Sequence, residues 1–265
     1  RSFGLGPEEQ VEADVVIVDE ASMVDVPLAW HLFRAINLQQ TAVVLVGDHN
    51  QLPPVGPGNV LRDLINTRIL PTVILDEVIR HAGPLKENCI ALLGGEVKPT
   101  VKVDSGISPW MVFDNLIQPE RVQQAVLQIH QAGLSEKLGF DLVWDVQVLT
   151  PTHKGPLGTV SLNAALQRLI QRKLYGIEVP PVPEGRKPPF LVYDKVIQKR
   201  NNYDLGVMNG TVGQIVEVDH KSGDLVVHFA DCGEVELSAK DGDLEDLHLA
   251  YALTIHSTQG SEFPC

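Results

Sequence analysis

No stretch of this 265-residue chain approaches the run of about 18 apolar residues that a membrane span requires, so no membrane partner is expected. Cysteine is scarce. Cys89, Cys232 and Cys265 stand far apart with no C-x-x-C pair, which leaves neither a disulfide framework nor a zinc ribbon and makes a reducing cytoplasm the simplest setting. The nine histidines include no H-E-x-x-H, setting a zinc enzyme aside. None of the 22 glycines is followed by lysine, so the Gly-Lys step of a phosphate-cradling loop is missing. No basic leader or cleavage site opens the chain, which starts at Arg1 and reads as cut at both ends. What is present is the composition of a globular protein: 44% hydrophobic, 21% charged, mean hydropathy +0.03. A disordered or collagen-like chain is thereby excluded. The length suits about two domains.

The balance of 21 basic against 34 acidic residues, net −13, disfavours a nucleic-acid partner at first sight. Net charge averages over faces, and a local basic strip still tracks phosphates. Residues 151–200 carry nine basic residues (Lys154, Arg168, Arg172, Lys173, Arg186, Lys187, Lys195, Lys199, Arg200) against three acidic ones, a local +6 that leaves −19 elsewhere. A solvated helix face plus a loop is the bland alternative.

The apolar runs 14–18 and 42–46 are continuous, as in strands buried on both sheet faces, and each ends in acidic residues, Asp19-Glu20 and Gly47-Asp48. A third run, Val73-Ile74-Leu75, ends in Asp76-Glu77. A helix over about 26–37 separates the first two, the rhythm of a parallel sheet with crossover helices. Further helices are predicted near 84–94, 119–132 and 160–173, with a strand at 146–149. After about 191, short alternating runs (192–197, 212–218, 225–229, 235–237) separated by Gly or Asp turns predict a small antiparallel barrel, and 247–255 reads as one more strand. The domain boundaries expected are 1–80, 81–190 and 247–265 for two α/β domains, with the barrel, 191–246, inserted in the second.

Three constellations carry chemistry. Asp19-Glu20 closes a strand: Asp19 is placed to hold magnesium and Glu20 to take a proton from an attacking water, although such a pair also simply caps a helix, with Ser22 as N-cap. In G-D-H-N-Q-L-P-P-V-G-P-G (47–58), two adjacent prolines and the glycines fix a loop that holds Gln51 beside a phosphate, with Asp48 orienting the loop or the metal's water shell; an incidental glutamine in a rigid loop is the alternative. Arg80, in E-V-I-R-H, is a guanidinium suited to an oxyanion or, equally, to a surface pair with Glu77. In T-I-H-S-T-Q-G-S-E-F (254–263), Thr254, His256 and Ser257 are short polar donors for DNA phosphates, while Gln259, Gly260 and Glu262 turn toward a nucleotide. His256 equally suits a hydrogen-bonded histidine under a loop.

Taken with V-L-T-P-T-H-K-G-P-L-G-T-V-S-L-N (148–163) and Y-D-L-G-V-M-N-G-T-V-G (203–213), these motifs closely resemble the RecD-type branch of superfamily 1 DNA helicases, relatives of the exodeoxyribonuclease V alpha subunit. The resemblance implies an α/β fold of two RecA-like parallel-sheet domains, the first incomplete, with ATP and Mg2+ bound between them. It also implies single-stranded DNA and single-strand/duplex junctions as substrate, 5′-to-3′ movement, and other recombination or repair subunits as partners. By resemblance Glu20 is the catalytic base, Gln51 the phosphate sensor and Arg80 the γ-phosphate arginine, here in an I-R-H setting rather than the usual F-R-Q, and Asp19 is the metal ligand. Gln259, Gly260 and Glu262 face the nucleotide, whereas Thr150, His153, Lys154, Asn209, Thr254, His256 and Ser257 face DNA. The first and last motifs of the family are absent, so the chain by itself is expected not to hydrolyse ATP. Two alternatives stay open: a non-motor nucleic-acid or protein-binding module keeping the helicase fold, and the helicase segment of a conjugative relaxase.

Overall fold

The computed structural model describes residues 4–76, 83–101, 108–180, 182 and 188–265. The chain divides into two compact units, Arg1–Val112 and Phe113–Cys265.

In the first unit, β1 (Val15–Val18) and β2 (Ala42–Leu45) pair in parallel, in register from Val15 opposite Ala42 to Val18 opposite Leu45. Between them runs α1 (Val26–Arg34). It begins where it does because the Asp25 carboxylate accepts the Leu28 N–H at 2.7 Å, with Pro27 in the first turn, where its missing N–H costs nothing. Asp25, not Ser22, is therefore the cap. A second helix, α2 (Val60–Thr67), stands where the sequence pattern shows only the end of a loop. Asn59 caps it, and Val60, Leu61, Leu64 and Ile65 have helical spacing. Then comes α3 (Gly83–Leu93).

Two expectations fail in this unit. The strands are not buried on both faces: Val16, Val18, Val43 and Leu45 are half-buried, but Val15, Ile17 and Val44 are exposed, Ile17 by 68%. An apolar run records what a strand is able to bury, and a two-stranded ladder covers only part of it. The run 73–75 forms no strand; Val73 and Leu75 are 87% and 91% exposed in irregular chain. Apolar composition permits a strand, but only a paired edge makes one.

The second unit opens with α4 (Pro119–Ile129), continues through β3 (Val148–Thr150) and α5 (Thr159–Ile170), and then builds β4 (Lys195–Gln198), β5 (Val212–Val218), β6 (Leu225–Phe229), β7 (Gly233–Leu237), β8 (Leu247–Leu249) and β9 (Ala252–Thr254). The order β7-β6-β5-β4-β8 is antiparallel throughout, with a bulge between Ile215 and Glu217. The expected barrel is not closed: β7 and β8 are free edges of an open sheet among the described residues. Closure fails because the chain leaves β8 through Ala250-Tyr251 and enters a different sheet, where β9 pairs in parallel with β3. The run 247–255 thus splits into two strands. Exposed Glu234 and Glu236 charge the β7 edge, which discourages pairing with another chain.

The core of this unit joins Leu162, Leu166 and Ile170 of α5 to Val196, Ile215, Val227, Phe229 and Leu247 of the sheet. One residue further along, Asn163 and Gln167 of α5 and Gln171 just past its end repeat the same spacing and are also buried, at 7%, 0% and 0% exposure. No described helix is long and apolar enough to cross a membrane.

Candidate functional site

In the first unit both parallel strands deliver polar residues at the same sheet end. Past β1 come Asp19 and Glu20, and past β2 come Gly47 and Asp48. The ladder continues one step further, Val46 N–H donating to the Val18 carbonyl and Ala21 N–H to the Val46 carbonyl, both at 2.8 Å. Carboxyl ends of parallel strands are where open α/β sheets bind ligands. Glu20 is half-buried and sits in the left-handed region (φ 49, ψ 38), turning the chain off the strand into a single helical turn, Ala21–Met23. An L-residue there is strained by about 1–3 kcal/mol. Asp19 Oδ1 accepts the Glu20 N–H at 2.8 Å, which orients the exposed carboxylate.

The loop 47–58 is pinned to the start of α1. Asp48 Oδ1 accepts the Asn50 N–H at 2.8 Å, the Gln51 N–H donates to the Asp48 carbonyl at 3.2 Å, and the Val26 N–H donates to the Pro57 carbonyl at 2.9 Å. Gln51 itself is exposed at the surface of that turn. Gly47 is dictated by close approach: a Cβ there would lie 2.9 Å from Ser22 N and 3.0 Å from Ala21 N. Gly47→Ala should therefore separate the Asp19-Glu20 turn from the loop and destabilise the first unit by about 1–3 kcal/mol, read as a lower urea midpoint. An unchanged midpoint would show that the two segments are not mutually braced.

Magnesium is usually held by one or two carboxylates, its remaining positions filled by water and phosphate oxygens. Exposed Asp19 at the strand end fits that sparse requirement, and Asp48 beyond the neighbouring strand fits a role in the water shell. No group of three His, Cys, Asp or Glu forms a closed cage among the described residues. Arg80 and His81 lie outside the described residues.

In the second unit Thr150 and Thr254 are register partners at the carboxyl ends of β3 and β9. Both are buried, and their hydroxyls are engaged internally: Thr150 Oγ1 donates to the Leu157 carbonyl at 2.5 Å, and Thr254 Oγ1 lies 2.7 Å from Ser257 Oγ. They tie loops 151–158 and 255–260 to the strand ends rather than projecting into solvent. Exposed groups surround them. His153 and Lys154 are exposed on the first loop, where His153 Nδ1 is 3.1 Å from Thr159 Oγ1, and His256 is exposed on the second. Ser257 Oγ also accepts from Lys199 Nζ at 3.1 Å, and burial lowers the pKa of that lysine. Gly260 adopts φ 79, which directs the chain from Gln259 toward Glu262. Asn209 lies elsewhere in the unit, exposed on the β4–β5 connection, its N–H bonded to Asn201 Oδ1 at 2.8 Å.

The basic strip divides in three dimensions. Lys195 is buried, donating to the Val146 carbonyl at 3.0 Å, and burial lowers its pKa to about 8. Arg172, Lys173 and Arg200 pair with Glu178, Glu136 and Asp246. Exposed pairs such as Arg172–Glu178 are worth little and yield readily to a phosphate. Lys154 is exposed and Lys199 half-buried beside the β3 and β9 ends, whereas Arg186 and Lys187 lie outside the described residues.

Sequence reasoning missed the buried polar frame behind this surface. Asn163 exchanges two hydrogen bonds with the Ala252 backbone, at 2.8 and 2.9 Å, fixing α5 to β9. Asp194, with no exposure, accepts from Gln167 Nε2 (2.6 Å), Gln171 Nε2 (2.7 Å), Leu191 N–H (2.8 Å) and Tyr251 Oη (3.0 Å). The signal available was the four-residue spacing of the three amides, two on α5 and one at its C-cap, one step out of phase with Leu162, Leu166 and Ile170.

Known proteins match this arrangement along its length. A family model described as an AAA domain matches residues 6–103, and one described as the ATP-dependent RecD-like DNA helicase SH3 domain matches 162–229. The ATP-dependent RecD2 DNA helicase of Deinococcus radiodurans is 33% identical over 273 residues, covering 99% of this chain and 34% of that protein. The RecBCD enzyme subunit RecD of Mycolicibacterium smegmatis is 25% identical, covering 94% of this chain and 43% of that protein. A solved structure of Bacteroides Pif1 helicase with ADP-AlF3 and single-stranded DNA is 16% identical, with a TM-score of 0.49, covering 95% of this chain and 63% of that one. The chain thus spans less than half the length of these curated relatives. Because the RecD2 likeness runs through nearly every residue and a RecD-specific module matches the second unit, the chain belongs to the RecD-type family of superfamily 1 DNA helicases.

Proposed function

We propose that this chain is the central part of an ATP-dependent DNA helicase that moves 5′-to-3′ along single-stranded DNA and opens duplex at junctions. One observation carries the reading. In each unit a parallel strand pair, β1–β2 and β3–β9, brings two separate motifs to the same carboxyl end, as two RecA-like sheets require. The relatives named RecD2 and RecD support it.

In this proposal Asp19 holds the magnesium of a bound nucleotide, and Asp48 orients its water shell. Glu20 accepts the proton of the attacking water, and Gln51, held by its turn, reports the terminal phosphate. Arg80 is assigned to the γ-phosphate, and Gln259, Gly260 and Glu262 to the nucleotide. Magnesium-bound ATP, when present, supplies the phosphoryl group whose transfer to water releases the driving free energy. His153, Lys154, Asn209, His256 and Ser257 line the DNA path, with Thr150 and Thr254 bracing it. In the complete helicase, other recombination or repair subunits are candidate partners.

Phosphate contacts displace counterions, so each adds about 0.7 to the slope of log affinity against log salt on a single strand. Three or four contacts predict a slope of about −2 to −3 for an oligothymidylate titrated with this chain by fluorescence anisotropy. With no Gly-Lys step in its sequence, the chain by itself should release no phosphate from ATP. A salt-independent isotherm, or none, overturns the DNA half of the reading.

A further inference from the structure

The second unit contains a cavity of about 520 Å3, a size typical of sites for one small organic group. Its walls are apolar: Phe190, Leu244, Leu247, Leu249 and Leu253, the last three buried. Its polar lining includes His153, His248, Thr254 and Lys199, with Lys199 Nζ and Thr254 Oγ1 both bonded to the Ser257 hydroxyl. Asn163 also lines it, but its amide is already paired to Ala252 on both sides and is not free to leave. Val160, 60% exposed in the first turn of α5, stands at the mouth.

A cation and hydroxyls beside a hydrophobic recess match the two ends of a nucleotide, an anionic phosphate and a planar base with hydrophobic faces. Resting on the DNA reading above, we infer that this cavity receives one unstacked base of the bound single strand while Lys199 engages the adjoining phosphate. Lys199 is suited to that contact because its Nζ is bonded to the neutral Ser257 hydroxyl and makes no ion pair with a carboxylate among the described residues. Insertion of a base accounts for hydrophobic walls that phosphate contacts alone do not need. Because those walls offer few hydrogen-bonding groups, base identity matters little, as a motor on arbitrary sequence requires.

The test uses this chain and a short oligothymidylate carrying one photoreactive thiothymidine, with an all-abasic strand of equal length for comparison. Irradiation should give adducts on residues 188–199 or 244–254, and the abasic strand should bind about tenfold more weakly, as expected for loss of one base contact. Val160→Trp, which fills the mouth from an exposed position, should abolish those adducts and shrink the difference between the two strands at least fivefold. Lys199→Gln, which leaves the walls intact, should weaken both strands alike. Tight, salt-sensitive binding with adducts only elsewhere, or with Val160→Trp indistinguishable from the parent, overturns the base cavity and leaves the DNA reading standing. Absence of salt-sensitive binding overturns both.

Discussion

Glu20→Gln in the complete helicase is expected to reduce DNA-stimulated phosphate release by about a hundred- to ten-thousandfold, the usual contribution of a positioned general base. The amide preserves shape but accepts no proton from water. Nucleotide and single-strand affinity should be nearly unchanged, because neither depends on that proton transfer, and steady-state turnover set beside equilibrium binding separates the two. A variant turning over at the parental rate would remove Glu20 from the chemistry. The backbone adds an independent expectation. Glu20 occupies a left-handed conformation (φ 49) that glycine adopts without strain. Glu20→Gly should consequently match or exceed the parent in urea midpoint while losing activity as fully as the glutamine variant. Strain retained at a position where glycine would relieve it points to a side chain kept for its chemistry.

The second large effect lies in the buried carboxylate of the second unit. Asp194→Ala deletes the acceptor of four hydrogen bonds and strands buried donors of Gln167, Gln171 and Tyr251, at about 3 kcal/mol or more, or roughly 6–12 °C in Tm. Its titration predicts a pH signature. Burial raises the Asp194 carboxyl to about 6 from an ordinary 3.8, against the opposing pull of its hydrogen bonds. Between these values the folded form holds more protons than the unfolded form. The contribution of Asp194 is therefore full below about pH 4 and declines as pH rises through 6, by a total of the order of 3 kcal/mol. Asp194→Asn does not titrate, so its stability relative to the parent should improve from pH 4 to pH 7, with the other titrating groups cancelling in the difference. A difference independent of pH would mean that the carboxylate is not desolvated.

Local signals proved readable. Strands β1 and β2, the helix after Asp25, the proline-opened α4 and the alternating strands of the second unit all announce themselves within a few residues, through side-chain period, caps and turn glycines. So did the acidic strand ends and the fixed loop at 47–58. Less readable was anything set by a distant partner. The stretch 73–75 has the composition of a strand but pairs with no edge among the described residues, and α2 was hidden behind a proline- and glycine-rich approach although Asn59 caps it. The basic strip was visible as charge, but not that Lys195 spends its ammonium on the Val146 carbonyl, 49 residues away.

By itself, then, the sequence determined the family of this chain and the order of most of its elements, because each is encoded in contiguous motifs. Only the tertiary structure decided that the five-stranded sheet stays open, that the run 247–255 serves two sheets, that Thr150 and Thr254 turn inward, and that Asn163 and Gln167 of α5, with Gln171 at its end, hold a neighbouring strand and a buried carboxylate. Those outcomes depend on which backbone edges and buried polar groups find partners far along the chain, as Asn163 finds Ala252 across 89 residues, and no local pattern specifies such a partner.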